Sequence, residues 1–198
     1  MKALNVLKPV VTDGPLYEGV SMTPDEYMRL ETDGHRYEME HGVLSRVPSP
    51  EFKHGEAAHY FEVELGLYLR RHRAGKAVHE IDVALPDGGD VVCPDLSFIA
   101  RERLEIIRKK IHGAPDLVLE VHSPRTRKHD RGEKAERYLS CGVREYWLID
   151  PARETVELWV PASNVRGRPF WERRQGGLLE SRLLPGFRIV ASDLFAAN

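Results

Sequence analysis

The sequence predicts one α/β domain built on a mixed β-sheet, and two observations support this fold class. Apolar residues recur at spacings of three and four along one long segment, as on one face of a helix, whereas short β-branched and apolar runs elsewhere are typical of strands. With 198 residues and 41% hydrophobic content, the chain is long enough for a sheet covered by helices. Because no repeat, low-complexity tract or linker is evident, we predict an N-terminal arm over residues 1–20 and a single domain over residues 21–198.

A capped helix and a hairpin are predicted at the start of this domain. Thr23-Pro24-Asp25-Glu26 combines an N-cap, a proline in the first turn and an acid three residues after the cap, and Gly34 is predicted to end the short helix. Residues 37–44 alternate apolar and polar residues on either side of a His-Gly turn, which is typical of a hairpin. Glu38 and Glu40 then share one face of the first strand, so that either acid could serve at a site there.

A long helix is predicted from about residue 49 to residue 73. Its apolar stripe is extended by a histidine at the N-terminal end and consists of His54, Ala58, Phe61, Leu65, Tyr68 and Leu69. Gly75 is predicted to end the helix, and residues 77–85 alternate as a strand before a turn at residues 86–89.

Two predicted strands each carry one acid. Asp95 follows Pro94 within residues 91–99, and Glu120 lies within residues 117–121, while both runs are otherwise rich in apolar and β-branched residues. A short polar helix is predicted between them. An acid among apolar side chains is usually paired, hydrogen-bonded or bound to a metal, because an unpartnered buried carboxylate is unstable. Both acids are therefore candidate metal ligands.

Each acid also has an interpretation that needs no metal. Asp95 could end its strand or cap the next turn, and Glu120 could pair with Arg125 or Arg127. If a metal does bind, the oxygen-rich set of Glu38, Asp95 and Glu120 favours a hard cation such as Mg²⁺ or Mn²⁺ over zinc.

A further helix is predicted over residues 130–140, and it carries a lysine. If Asp130 caps this helix, Lys134 shares a stripe with Tyr138 and Cys141 and points inward. Its ammonium group could then orient or help deprotonate an attacking water. Alternatively, its aliphatic stem covers apolar surface while the amine reaches solvent.

Two histidines lie near these candidate residues. His122 follows Glu120 by two positions and so faces the same side of its strand, where it could bind the metal, relay a proton or simply pack. His54 is interpreted as a hydrogen-bonded supporting residue at the start of its helix. Residues 145–151 and 155–160 are predicted to form a buried strand and its hairpin partner, followed by mostly extended chain.

Overall charge does not identify a partner, since the formal net charge is only −2. Local basic clusters could contact phosphates or could be ordinary solvated surface. The residues predicted to contact nucleic acid are Arg70, Arg71, Arg73, Arg125, Arg127 and Lys128.

Cysteine usage and hydropathy bear on the compartment. Cys93 and Cys141 form no C-x-x-C motif, so neither a zinc site nor a disulfide framework is indicated, and a reducing cytoplasm fits best. The first residues do not resemble a signal peptide, and no apolar run reaches membrane-spanning length. We therefore expect a cytoplasmic protein without membrane contact.

The order and spacing of these motifs resemble the PD-(D/E)XK nuclease superfamily, in which an Asp after a Pro and an acid-x-Lys strand hold a catalytic metal. Here His122 occupies the place of the lysine, as in the Uma-type family of restriction-endonuclease-like proteins, where the lysine has moved onto the following helix. The resemblance covers most of the chain, and its motifs are Tyr37-Glu38, His54, Pro94-Asp95, residues 120–124, residues 134–138 and residues 142–147.

This resemblance implies a site and a fold. The site acids would be Glu38, Asp95 and Glu120, with Lys134 as the lysine and Mg²⁺ as the cofactor. The supporting residues would be His54, His122 and Tyr138. The fold would be a restriction-endonuclease-like mixed sheet flanked by helices, with an additional N-terminal hairpin and additional C-terminal strands.

The function implied is metal-dependent hydrolysis of DNA phosphodiester bonds by an endonuclease, with a homodimer expected by analogy with nucleases that cut both strands. The main alternative is a nuclease-fold domain that has lost turnover and binds nucleic acid or a partner, because fold alone does not establish activity. A metal-dependent hydrolase of another phosphorylated substrate is a third possibility.

Overall fold

The computed structural model describes residues 14–86, 90–122, 130–161, 171–174 and 177–196. Within these ranges the strands form a six-stranded mixed sheet, a five-stranded mixed sheet and a two-stranded sheet. The strands of the six-stranded sheet are β3 (Gly75–His79), β6 (Leu96–Ala100), β8 (Leu117–Val121), β9 (Glu145–Asp150), β10 (Thr155–Trp159) and β11 (Trp171–Arg174). Their order across the sheet is β11-β10-β9-β8-β6-β3. The strands of the five-stranded sheet are β1 (Tyr37–Glu40), β2 (Val43–Arg46), β4 (Val83–Ala84), β5 (Val91–Val92) and β7 (Ile111–His112). Their order across the sheet is β2-β1-β5-β4-β7. The two-stranded sheet pairs β12 (Leu178–Glu180) with β13 (Arg188–Val190).

Helices cover both faces of the six-stranded sheet. The α-helices of the described ranges are α1 (Pro24–Tyr27), α2 (Phe52–His72) and α3 (Ala135–Ser140), and 3-10 helices span Arg101–Ile106 and Ala191–Leu194. Phe61 and Leu65 of α2 pack against Leu119 and Val121 on one face. Tyr138 of α3 packs in a second cluster on the other face. Since strand residues alternate between faces, Glu120 of β8 points toward α3.

The predicted capped helix and hairpin are confirmed, except for the length of the helix. Thr23 and Glu26 form the predicted capping box, but α1 ends at Tyr27 and Gly34 lies well beyond it. The hairpin is confirmed, with Glu40 paired to Val43 and both turn residues at positive φ. This turn geometry matches the right-handed twist of paired strands.

The predicted stop of the long helix is wrong. The helix ends at His72, and its C-cap residue Arg73 adopts a left-handed conformation with φ of 50°. Gly75 instead begins β3, where a Cβ atom would lie only 2.1 Å from the carbonyl oxygen of Ile99. Glycine is required there because two backbones approach closely.

Two predicted strands are each divided between two sheets. Residues 77–85 contribute to β3 and β4, with a break at Glu80, whose φ is 49°. Residues 91–99 contribute to β5 and β6, with a break at Cys93-Pro94-Asp95. Proline cannot donate a ladder hydrogen bond, which explains the interruption. Asp95 therefore lies at the crossing between the sheets and not inside a continuous strand.

The remaining predictions are confirmed in part. Residues 101–111 contain a 3-10 helix over Arg101–Ile106 followed by β7, so a single helix is wrong there. The predicted helix over residues 130–140 is present as a π-helical turn, Asp130–Lys134, that leads into α3. The buried strand and its hairpin partner correspond to β9 and β10. Much of the predicted turn at residues 86–89 lies outside the described residues.

Candidate active site

Asp95 and Glu120 meet at one edge of the six-stranded sheet. The antiparallel register of β6 and β8 pairs Leu96 with Leu119, so Asp95, immediately before Leu96, lies beside Glu120. The Oδ2 atom of Asp95 accepts the backbone N–H of Val121 at 2.6 Å. The two acidic side chains are largely buried, with 16% of Asp95 and 9% of Glu120 exposed.

Lys134 brings a positive charge to this edge. Its Nζ lies 3.0 Å from Oε1 of Glu120 and 3.1 Å from Oε1 of Glu38, and only 7% of the side chain is exposed. The amine therefore does not reach bulk solvent, which was the alternative considered for a helical lysine. The π-helical turn that ends at Lys134 directs the side chain onto the sheet edge.

Tyr138 lies one helical turn after Lys134 and supports the same glutamate. Its hydroxyl donates to Oε1 of Glu120 at 2.7 Å. Burial, with the negative charges of Glu120 and Glu38, raises the pKa of Tyr138 well above its usual value. The phenol is therefore a neutral donor that fixes the Glu120 carboxylate.

Glu38 binds Lys134 and the backbone at the sheet crossing. Its Oε1 accepts the Cys93 N–H at 3.1 Å in addition to the Lys134 ammonium. Burial, with the charges of Asp82 and Glu38, raises the pKa of the Cys93 thiol to about 12, so this thiol is not a nucleophile at neutral pH. Glu38 thus joins β1 of the smaller sheet to the site on the larger one.

Glu40, the alternative to Glu38, forms a separate contact on the same strand face. Its Oε1 accepts NH1 of Arg137 at 2.9 Å, and Nε of Arg137 lies 2.9 Å from Oδ2 of Asp90. Lys134 and Arg137 therefore bind Glu38 and Glu40 as two successive ion pairs between β1 and the segment 130–140. Arg137 was not identified from the sequence as part of this arrangement. The available signal was that Glu38 and Glu40 are two residues apart on a strand while Lys134 and Arg137 are three residues apart on a helix.

Replacement of Arg137 with methionine should lower the free energy of unfolding by about 3 kcal/mol, because Asp90 would remain buried without its cation. Only 7% of the Asp90 side chain and 11% of the Arg137 side chain are exposed. Arg144→Met is the matched control, since 54% of Arg144 is exposed and Asp116 keeps its bond to Arg103. Chemical denaturation should give a loss below about 1 kcal/mol for the control. Equal losses of stability in Arg137→Met and Arg144→Met would contradict the stabilising role assigned to the Arg137–Asp90 pair.

His54 binds the other catalytic candidate, Asp95. Its Nε2 lies 2.9 Å from Oδ1 of Asp95. Burial alone would lower the pKa of His54, but the hydrogen bond and charge of Asp95 outweigh it and raise the pKa, with smaller opposing effects from Glu80 and Arg36. His54 and the Val121 N–H together fix both oxygens of the Asp95 carboxylate.

The His54–Asp95 contact should make stability depend on pH. Because folding raises the pKa of His54 above 6.5, its contribution is fully present below that pH and is lost as pH rises through the folded-state pKa. The difference in unfolding free energy between wild type and His54→Gln, measured with EDTA from about pH 5.5 to about pH 9, should shrink with rising pH. His79→Gln, which removes the exposed contact of His79 with Glu62, is the control and should show a smaller, flatter difference. A pH-independent difference at His54 would contradict the prediction.

His122 lies beside Asp150 of the neighbouring strand. Its Nε2 is 3.4 Å from Oδ2 of Asp150, its backbone N–H donates to the Ile149 carbonyl, and both side chains are almost fully buried. The geometry therefore places His122 in contact with β9, and its predicted supporting role stays a prediction.

The basic cluster that lies within the described residues is remote from the site. Arg70, Arg71 and Arg73 are exposed at the C-terminal end of α2, sixteen residues or more after His54 and so about 24 Å away along the helix. Arg125, Arg127 and Lys128, and with them the proposed pairing to Glu120, lie outside the described residues. Contact of either cluster with phosphates stays a prediction.

The donor chemistry at the edge fits a hard divalent cation. Carboxylate oxygens are ligands that such a cation prefers. In the described part of the chain, no group of three or more His, Cys, Asp or Glu side chains is arranged to hold a metal ion. Magnesium is commonly bound by one or two carboxylates, with water and substrate phosphate completing its shell. Asp95 and Glu120 offer two such carboxylates. Because Lys134 contacts Glu120 and Glu38 at nearly equal distances, binding of a metal by any of the three acids stays a prediction.

Comparisons with known proteins identify the family and the fold of the chain. A family model described as Uma2, putative restriction endonuclease, matches residues 24–192. The crystal structure of a putative nuclease belonging to DUF820 from Anabaena variabilis is similar with a TM-score of 0.74 and 21% identity, over 88% of this chain and 97% of that one. No curated protein matches the sequence. The structural similarity confirms the predicted nuclease-like α/β fold, and none of the helices in the described ranges is long and apolar enough to cross a membrane.

Proposed function

Because the chain belongs to the Uma2 family of putative restriction endonucleases, which confirms the resemblance seen in its sequence, we propose that it is a metal-dependent endonuclease acting on DNA. The observation that carries the proposal is the buried contact of Lys134 with Glu120, beside Asp95 on the adjacent strand. Two carboxylates and an amine at one sheet edge can serve phosphodiester hydrolysis.

Asp95 and Glu120 would hold Mg²⁺ or Mn²⁺ at this edge. When bound, the metal would polarise the scissile phosphate and lower the pKa of a coordinated water. The protein's contribution is to fix the two carboxylates. His54 and the Val121 N–H hold Asp95, and Tyr138 holds Glu120.

Lys134 is proposed to act on the attacking water and the phosphate. Its ammonium can donate to a phosphate oxygen or orient the water, since Nζ carries three donors and lies beside Glu120. Glu38 keeps this amine at the edge of the sheet. We assign Glu38 to positioning Lys134, and its direct binding of metal stays a prediction.

The remaining features of the proposal follow from the reaction. Cleavage of both strands of a duplex is served by two active sites related by a twofold axis, so we propose a homodimer. The proposed compartment is the cytoplasm. The exposed residues Arg70, Arg71 and Arg73 are proposed to contact phosphates remote from the site.

The test is a nuclease assay on supercoiled, linear and single-stranded DNA and on RNA, with Mg²⁺, Mn²⁺, Ca²⁺ or EDTA. Cleavage of DNA that requires Mg²⁺ or Mn²⁺ supports the proposal. Metal-independent cleavage that persists in the Asp95→Asn variant would point to a contaminating enzyme. Binding without cleavage under every condition would favour the alternative of a binding domain.

One observation favours that alternative. Lys134 is already paired with two carboxylates, as in a structural ion cluster. A structural cluster should be insensitive to metal. The melting temperature in Mg²⁺ and in EDTA distinguishes the two, because a ligand that binds only the folded state raises it.

A further inference from the structure

An exposed ion pair lies beside the crossing that carries Asp95. NH1 of Arg36 is 2.7 Å from Oε1 of Glu80, and the backbone N–H of Glu80 donates to the carbonyl of Pro94 at 3.2 Å. Arg36 directly precedes β1, which carries Glu38, and Glu80 directly follows β3 at the edge of the six-stranded sheet. The pair therefore links both sheets at the residue that precedes Asp95.

The pair differs from the rest of the site in its exposure. The side chains of Arg36 and Glu80 are 37% and 44% exposed, whereas 7% of Lys134 and 16% of Asp95 are exposed. The pair is nevertheless tied to the site, because the backbone N–H of Glu80 donates to the carbonyl of Pro94, the residue before Asp95. Arg36 is thus a cation at the solvent side of the site.

An additional cation beside the site would favour the binding of an anionic strand. Lys134 is committed to two carboxylates, while Asp95 and Glu120 add negative charge where an anionic strand must bind. A guanidinium group has five N–H donors in a fork that matches phosphate, and the pair with Glu80 occupies only part of it. Exposed ion pairs contribute little free energy, so exchange of Glu80 for a phosphate costs little free energy.

We propose that Arg36 binds a phosphate of the substrate strand beside Asp95, and that Glu80 holds the guanidinium ready and competes with that phosphate. This assignment rests on the proposed function. It gives the two partners opposite effects on substrate binding. If the ion pair were only structural, removal of either partner would have the same effect on substrate binding.

The test is the Kd of a fluorescein-labelled DNA duplex, measured by anisotropy at several salt concentrations with Ca²⁺ in place of Mg²⁺. Arg36→Gln should weaken binding by about five- to tenfold at low salt and reduce the slope of log Kd against log salt by about 0.9, the value for one phosphate. Glu80→Gln should bind at least as tightly as wild type. Arg36→Lys should keep the slope, because it keeps the charge.

Arg144→Gln, an exposed arginine paired with Asp116, is the matched control and should leave Kd and slope unchanged. Thermal melting establishes that each variant is folded. An unchanged salt slope in Arg36→Gln, or equally weakened binding in Glu80→Gln, would overturn the role proposed for Arg36. Cleavage by the wild type would still support the proposed function in that case. A wild type that neither binds nor cuts nucleic acid would overturn both.

Discussion

Replacement of Glu120 with glutamine should lower the cleavage rate by about three orders of magnitude or more while leaving the protein folded. The carboxylate would no longer help to hold the metal, whose stabilisation of transition-state charge is worth several kcal/mol, and about 1.4 kcal/mol corresponds to a factor of ten. The fold should survive because a glutamine oxygen can still accept the bonds that Oε1 receives from Lys134 and Tyr138.

A second buried strand glutamate provides the matched control. Glu145 begins β9 and accepts bonds from the Ser181 hydroxyl and from the backbone N–H groups of Arg182 and Leu183. In Glu145→Gln, the side-chain NH₂ group would face N–H or O–H groups that are themselves donors, so a hydrogen bond would be lost. This loss should lower the free energy of unfolding by about 3 kcal/mol. Glu145→Gln should therefore melt lower than wild type but keep its cleavage rate at a temperature where it is folded.

The two variants should thus separate stability from chemistry. Single-turnover cleavage and thermal melting should give opposite patterns, with rate lost in Glu120→Gln and stability lost in Glu145→Gln. Affinity for DNA in Ca²⁺ should change far less in Glu120→Gln than its rate does. Full cleavage by Glu120→Gln would show that the chemistry lies elsewhere on the chain.

Local sequence patterns were sufficient for the residues whose placement depends on one element. The hairpin, the capping box and the inward direction of Lys134 depend on turn chemistry and on helical spacing, which short segments specify. Glu120 belongs to the same class, because an acid inside an apolar strand requires a partner.

The crossing between the sheets could not be predicted in this way. Residues 91–99 appear continuous in apolar character, although Pro94 divides them between two sheets. The bond of Glu38 to the Cys93 N–H and the pair of Arg36 with Glu80 depend on that division. Contacts between residues far apart in sequence leave no local periodicity, so Arg36 was not identified.

The identity of the third acidic ligand depends on the same long-range geometry. Three acids in the family order predict a shared metal set, and the structure places both Glu38 and Glu120 against Lys134. An ammonium between two carboxylates lowers their mutual repulsion. Glu38 can therefore contribute to the reaction through the lysine.

Replacement of Lys134 with methionine should reduce the cleavage rate by about 10²- to 10⁴-fold, the range expected for the loss of one group that transfers a proton or stabilises charge. DNA affinity in Ca²⁺ should be nearly unchanged, because the proposed role of Lys134 lies in the transition state. The variant should also lose about 2 to 4 kcal/mol of stability, since Glu38 and Glu120 would face each other without a cation.

Lys134→Arg separates the catalytic role from this structural one. Arginine retains the positive charge between the two glutamates and should recover part of the lost stability. Its larger, planar group does not place a donor where Nζ of Lys134 lies, so it should not restore the rate. Lys109→Met, at an exposed position outside the site, is the surface control and should match wild type in rate and melting temperature. If Lys134→Arg recovered rate and stability together, the lysine would act only as a counter-charge, and its proposed action on the attacking water and the phosphate would be wrong.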